Sequence, residues 1–260
     1  MRFLVTIFSG LVVMIVAVAL AIGGQLIVRR LSDHSELKKH HDVADPMLSI
    51  VGTLFAVLLG FMVANAMTRF EEARITVQQE ANAVMDLFRI AEGLPQADAV
   101  KLRQDLRSYV TVVINDEWPR MAHKESSPQA MQLCDKIWSD CATFKPKEDA
   151  HNNLQQKMLD TVSQLSDSRR VRLYAMHNGL PISLWVVLFA GGIATLSLTY
   201  LFGNQSMRLQ ILMTTIVSIV ICLNMFLLAS FDDPFSGDVM VHPSAFQLDL
   251  ESMERLPGQK

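Results

Sequence analysis

Apolar and polar positions along the chain separate into blocks. Four runs carry no Asp, Glu, Lys or Arg: Phe3 to Val28, Met47 to Thr68, Ile182 to Phe202 and Leu209 to Phe231. An uncharged apolar run of about 18 residues or more can cross ~30 Å of hydrocarbon as a helix, so the pattern predicts four transmembrane helices. The first run has an apolar core of about 26 residues, longer than the ~7–15 of a signal-peptide core, and is read as a spanning helix.

Between the second and third runs the period becomes that of amphipathic helices. Phe70, Ala73, Val77, Val84, Leu87 and Ala91 recur at steps of three and four directly after the second run. With no Gly or Pro before Gly93-Leu94-Pro95, the second span is expected to run on as one helix of about 46 residues, roughly 69 Å long. Leu102, Leu106, Tyr109 and Val113 mark the next helix, which Trp118-Pro119 should end or kink, because proline disfavours helical geometry in the residue before it. Ser127 is placed to cap a helix with Pro128 at its first position and with Cys134, Ile137, Trp138, Cys141 and Phe144 on one face. Leu154, Met158, Val162 and Leu165 predict a last helix that stops near Asn178-Gly179. The expected fold is all-α: four transmembrane helices and a helical cytoplasmic bundle inserted between the second and third. The domains are 1–68 (first helix pair with its loop), 69–180 (the bundle), 181–231 (second pair) and 232–260 (C-terminal cytoplasmic tail).

Charge sets the orientation. Of the 23 Lys and Arg, Arg29, Arg30, Lys38, Lys39 and Arg208 fall on one side and the other 18 on the side of the bundle. The excess places bundle, N-terminus and tail in the cytoplasm. The formal net charge of −3 does not suggest nucleic acid as a partner. Three cysteines make no disulfide framework. Cys134 and Cys141 stand ~10.5 Å apart along a helix, beyond the ~7 Å reach of a bridge, and Cys222 lies in the fourth run.

No HExxH, GxSxG, Walker or GxGxxG motif is present, so neither an enzyme nor a cofactor is expected. His34, His40, His41, Asp42 and Asp45 form the one cluster of possible metal ligands or pH-sensing groups; without a recognised spacing and beside Lys38 and Lys39, it reads as a solvated loop. No span holds an ionisable Asp, Glu, Lys, Arg or His, which disfavours a proton-coupled pump. In the second span Gly52, Ala56, Gly60 and Ala64 make a small-residue ladder for close helix packing. On the neighbouring face Thr53, Val57 and Phe61 would form stacked rings in a symmetric oligomer, an apolar constriction of the kind that gates by dewetting. Arg69, Glu71, Glu72 and Arg74 follow at the cytoplasmic mouth, where two charges of each sign give no ion preference; Arg69 can equally reach back to lipid headgroups.

Leu59-Gly60-Phe61-Met62-Val63 followed by Thr68-Arg69-Phe70 resembles the bestrophin pattern LGFxV, four residues, then TR and an aromatic. Pro234-Phe235-Ser236-Gly237-Asp238 is similar to the bestrophin PFG with acidic residues after it. Glu117-Trp118-Pro119 and Gly179-Leu180-Pro181 also resemble the bacterial membrane family described as bestrophin homologues. The resemblance implies a bacterial inner-membrane protein that is a homo-oligomer, pentameric as bestrophins are. It implies a passive, mainly anion-conducting channel whose neck positions are Thr53, Val57 and Phe61. Thr53 and Val57 depart from the bulkier residues of that pattern. Asp232, Asp233 and Asp238 replace a continuous acidic run, too few oxygens for a calcium site by themselves. The reading from a different class is a non-conducting scaffold or sensor, anchored in the bilayer, whose bundle binds a partner.

Overall fold

The computed structural model describes residues 2–31, 41–146, 149–201, 206–237 and 239–255. The described residues contain helices and no strand. In chain order these are α1 (Arg2–Leu31), α2 (His41–Ile90), a 3-10 turn (Ala91–Gly93), α3 (Gln96–Val112), a π-helical segment (Val113–Glu117), α4 (Trp118–Met121), α5 (Pro128–Thr143), α6 (Asp149–Ala175), α7 (Ile182–Tyr200), α8 (Met207–Asp232) and α9 (Ser244–Arg255). Four of them, α1, α2, α7 and α8, are long and apolar enough to cross a membrane. The chain divides into two compact units, one of residues 1–68 and 180–232, the other of residues 69–179 and 233–260.

In the first unit small residues set how closely helices approach. A Cβ at Gly191 would lie 2.6 Å from Phe55 Cδ2, so the Phe55 ring of α2 seats directly on the backbone of α7. Gly10 of α1 receives the ring of Phe226 of α8 in the same way, also at 2.6 Å. With no hydrophobic driving force between helices in lipid, such close packing is what holds them together. Phe55, Leu59, Ala66, Leu188 and Leu228 form the buried apolar cluster of this unit. The outward faces stay apolar, as at Phe8, Leu20 and Ile182.

The second unit has an apolar core that includes Val84, Leu87, Leu106, Tyr109, Ile137, Val162, Leu165 and Phe246. Ser127 caps α5 as expected: its Oγ accepts the Ala130 N–H at 3.2 Å, with Pro128 in the first turn. Cys134, Ile137 and Cys141 are buried, and burial pushes both thiols above their usual range, Cys141 to about 12. Trp138, expected on that face, is 41 % exposed instead. At 100° per residue it falls on the flank of the stripe that Ile137 and Cys141 define.

The helix at Trp118-Pro119 does not end. Trp118 keeps helical dihedrals (φ −58°, ψ −48°), and its N–H donates to the Val113 carbonyl, five residues back. The widened π turn takes up the proline that an unbroken α-helix would not tolerate.

Helix α9 carries Asp249, whose Oδ2 is buried with no hydrogen-bond partner among the described residues. Burial raises its carboxyl to about 6, with Arg89 opposing and the like-charged Asp86 reinforcing the shift. Against an ordinary value of 3.8, the folded chain binds the extra proton between about pH 4 and 6. The stability this contributes is fully present below about pH 4 and is lost as pH rises through 6. Asp249→Asn should therefore melt higher than the wild type at pH 7.5 and no higher at pH 3.5, as read by thermal unfolding in detergent. Equal differences at both pH values would contradict the assignment.

Candidate functional site

The membrane half of α2 has two unlike faces. Phe55, Leu59 and Ala66 point inward and are buried. Thr53, Val57 and Phe61 lie on the opposite, open side, with Val57 53 % and Phe61 67 % exposed. The small-residue ladder opens the same way: Ala56 and Ala64 are exposed, and nothing lies within 4 Å of where a Cβ would stand at Gly52 or Gly60. The ladder is therefore not used for packing against the described helices of this chain. Asn65 and Thr68 are exposed as well; the Thr68 hydroxyl donates to the Ala64 carbonyl at 3.0 Å, which leaves Asn65 as an open amide.

The charged residues that follow are engaged locally. Arg69 donates from Nη1 to the Asn178 carbonyl at 2.8 Å, joining the helical unit's first residue to the turn after α6. Glu71 and Arg74 pair at 2.6 Å, one helical turn apart, and Glu72 is exposed. An exposed pair at this spacing is screened by solvent, so these residues shape local potential more than stability.

The acidic candidates near the end of α8 have structural partners. Asp232 accepts the Leu180 N–H at 2.6 Å. Asp233 accepts the Phe235 N–H at 3.1 Å and pairs with Lys124, which also donates to the Met176 carbonyl. Asp238, His34 and His40 lie outside the described residues, as do the side chains of His41, Asp42 and Asp45. Among the described residues no group of three or more His, Cys, Asp or Glu could hold a metal. Asp232 and Asp233 each meet a partner within their own unit. Gly237, at φ +85°, supplies the left-handed turn that follows buried Phe235.

Sequence reasoning missed the densest polar constellation. Arg172 is fully buried and makes a two-pronged contact with Glu80, Nε to Oε2 at 2.6 Å and Nη2 to Oε1 at 2.8 Å. Its Nη2 also reaches Glu117 Oε2 at 3.5 Å, while Arg169 donates to Glu117 Oε1 at 2.7 Å. Tyr109 donates to Glu80 Oε1 at 2.5 Å. Two guanidinium groups face two carboxylates, so the buried cluster is formally neutral. Burial by itself would lower the Arg172 pKa, but Glu80 and then Glu117 raise it overall, which keeps the side chain charged. Burial, then the Glu80 charge, pushes the Tyr109 phenol well above its usual range, which keeps it a donor.

Glu117 is the last residue of the π segment, and the Arg172 guanidinium lies over the Trp118 ring, 5.3 Å from its centroid. Trp118 in turn donates to the Val241 carbonyl at 3.1 Å and meets Phe235 and Phe246 edge-on at 6.0 Å. A signal for the cluster was present in the apolar stripes. Glu80 takes a core position in the series 73, 77, 80, 84, 87, and Arg169 and Arg172 do so in 158, 162, 165, 169, 172. Charges at core positions are too costly to bury alone, so each needs a partner.

A family model described as Bestrophin-like domain matches residues 15–246. The chain belongs to the bestrophin-like family. No curated protein matches it. Two crystal structures of variants of a bacterial bestrophin homologue from Klebsiella pneumoniae share the fold of this bestrophin-like protein. The first is 12 % identical at a TM-score of 0.68 and covers 94 % of this chain and 99 % of its own. The second is 13 % identical at 0.67, over 95 % and 96 %. A further crystal structure, described as that of a membrane protein variant, is similar at 14 % identity and a TM-score of 0.66, over 96 % of each chain. At such identities the likeness is one of fold.

Removing one member of a buried ion pair costs about 3–5 kcal/mol, because the partner is left charged and unmatched. Arg172→Met should destabilise this bestrophin-like protein by that order, and adding Glu80→Gln should recover part of the loss. Thermal unfolding of the single and double variants in detergent checks this, and a single variant as stable as the wild type would show the cluster to be dispensable.

Proposed function

We propose that this bestrophin-like protein is a homo-oligomeric ion channel whose axial path is lined by the open face of α2. The observation that carries the reading is that Thr53, Val57 and Phe61 share one uncovered face with a ladder of residues too small to fill the space beside them. A ladder of that kind suits close approach by another copy of the chain. Thr53 and the amide of Asn65 on the same side are costly to turn toward hydrocarbon and favour protein or water there. Rings of Val57 and Phe61 around an axis would form an apolar constriction that conducts when wetted.

Conduction would be passive, since the uncharged runs supply no intramembrane ionisable group to couple it. The helical unit and the tail would face the cytoplasm of a bacterium and the spans its inner membrane, in keeping with the Lys and Arg excess. Five subunits and a preference for anions are what kinship with bestrophins suggests. Arg69 and Arg74 are matched in number by Glu71 and Glu72, so no net ring of positive charge is evident at the mouth among the described residues, and ion preference would rest on the constriction.

Purified protein in liposomes should pass small ions, and Phe61→Ala should raise the flux severalfold by widening the narrowest apolar ring. An anion-flux assay with parallel cation measurements checks both. If neither protein conducts any ion tested, the channel reading fails and a scaffold anchored by its spans becomes the better account.

A further inference from the structure

The first unit buries polar side chains where three of its helices meet. Arg29 of α1 donates to Gln210 Oε1 of α8 at 3.2 Å. Together with Gly10 seated against Phe226, this contact shows that α1 and α8 run antiparallel. One turn further along, Gln25 comes level with Thr214, and after one more turn Ala21 comes level with Ser218. Helix α7 joins them: Gly192 packs beside Ile221 and Gly24 beside the Tyr200 hydroxyl. Antiparallel pairing of α7 with α8 then brings Thr199 to the level of Thr214 and Thr195 to that of Ser218. Six polar side chains from three helices are stacked in successive turns: Gln25, Thr195, Thr199, Gln210, Thr214 and Ser218. Each is at least nine-tenths buried.

Their hydrogen bonding is incomplete within the protein. Gln25 Oε1, Thr214 Oγ1 and Ser218 Oγ have no partner among the described residues, although Gln25 is 2 % exposed and the other two 1 %. Serine and threonine in membrane helices commonly return their proton to a carbonyl of their own helix. Thr195 and Thr199 do so, donating to the Gly191 and Leu196 carbonyls. Thr214 and Ser218 do not, so their hydroxyls remain free to donate and to accept. A buried polar group left without a partner is costly, and three on adjoining turns would be a heavy concentrated loss. Ala21 is the small residue of α1 level with Ser218 and limits how far α1 fills the space there, while Gly24 admits the Tyr200 hydroxyl.

We propose that this seam is a buried hydration site, a file of water molecules entering from the Arg29–Gln210 end and reaching Ser218, about 12 Å along α8. Water suits the donor and acceptor set. The Thr214 and Ser218 hydroxyls and the Gln25 amide each offer both a donor and an acceptor, and a bridging water can match either role. A cation is disfavoured by the neighbouring Arg29, and an anion would meet the carbonyl oxygen of Gln25. The site lies within a single chain among α1, α7 and α8, apart from the open face of α2, and does not depend on conduction.

The test is accessibility to a small water-borne probe in the full-length protein in lipid nanodiscs. Ser218→Cys, in a Cys222→Ala background, is exposed to hydrogen peroxide, a neutral probe close to water in size, and protection of that peptide from later alkylation under denaturing conditions is read by mass spectrometry. The comparison is Leu188→Cys, a position equally buried but lined by apolar residues. Reaction at position 218 at least tenfold faster than at 188 is expected, and equally slow reaction at both would overturn the proposal. Thr214→Val decides the matter if Ser218→Cys fails to fold. A hydrated seam loses a bridged hydroxyl and the variant melts lower, whereas an unchanged or higher melting temperature means that the hydroxyl was dry and the proposal is wrong.

Discussion

Arg172 sits where water cannot reach it, and the helical unit is arranged to supply what water would have given. Glu80 comes from α2, Tyr109 from α3, Glu117 from the π segment and Arg169 from the same helix as Arg172. Each must be in register for the guanidinium to be matched, because the desolvation of a single unmatched charge would cost several kcal/mol. The π turn belongs to this arrangement. It brings Glu117 to the arginines and lets Trp118, with its indole against Arg172, anchor Phe235 and Phe246 of the C-terminal segment. A buried ion cluster contributes little net stability compared with an apolar core, but it penalises every wrong register. We regard it as the feature that makes this packing the one the unit adopts.

The membrane unit works under a different constraint. Its outward side chains can stay apolar, so close contact rather than hydrophobicity decides which faces pair, and Gly191 under Phe55 and Gly10 under Phe226 mark those contacts. The face of α2 that carries Gly52, Gly60 and Phe61 has the same small residues without a partner among the described residues. That contrast, small residues occupied on one side and open on the other, is the physical basis for reading the open side as meeting further copies of the protein. Meanwhile the polar groups that the spans do contain are divided. Thr53 and Asn65 are exposed on α2, whereas Thr195, Thr214 and Ser218 are buried among α1, α7 and α8.

The four spans, the cap at Ser127 and the end of α2 near Gly93 were legible because they depend on local pattern: uncharged length, capping chemistry and the first helix breaker. The family was legible from short motifs around Phe61 and Phe235. At Trp118-Pro119 the expected end or kink takes the form of a π turn, which satisfies the backbone where an α-helical turn could not. The partners of Asp232 and Asp233, the Leu180 amide and Lys124, were not legible, because the fold brings them from distant stretches of sequence. The buried charges were half visible, since Glu80 and Arg172 interrupt apolar stripes, but which carboxylate meets which guanidinium depends on packing between helices 92 residues apart in sequence. The seam at Gln25, Thr214 and Ser218 was hidden for the same reason. It is a property of three registers together, and no single stretch of sequence carries it.

In the assembly we propose, the open face of α2 turns toward other copies of the chain around a shared axis. Disulfide trapping in native membranes addresses it directly, with Phe61→Cys introduced after Cys134, Cys141 and Cys222 have been replaced. Mild oxidation should yield covalent dimers through position 61. A chain that remains monomeric under the same oxidation, while folded and in lipid, would place Phe61 against lipid and contradict the account.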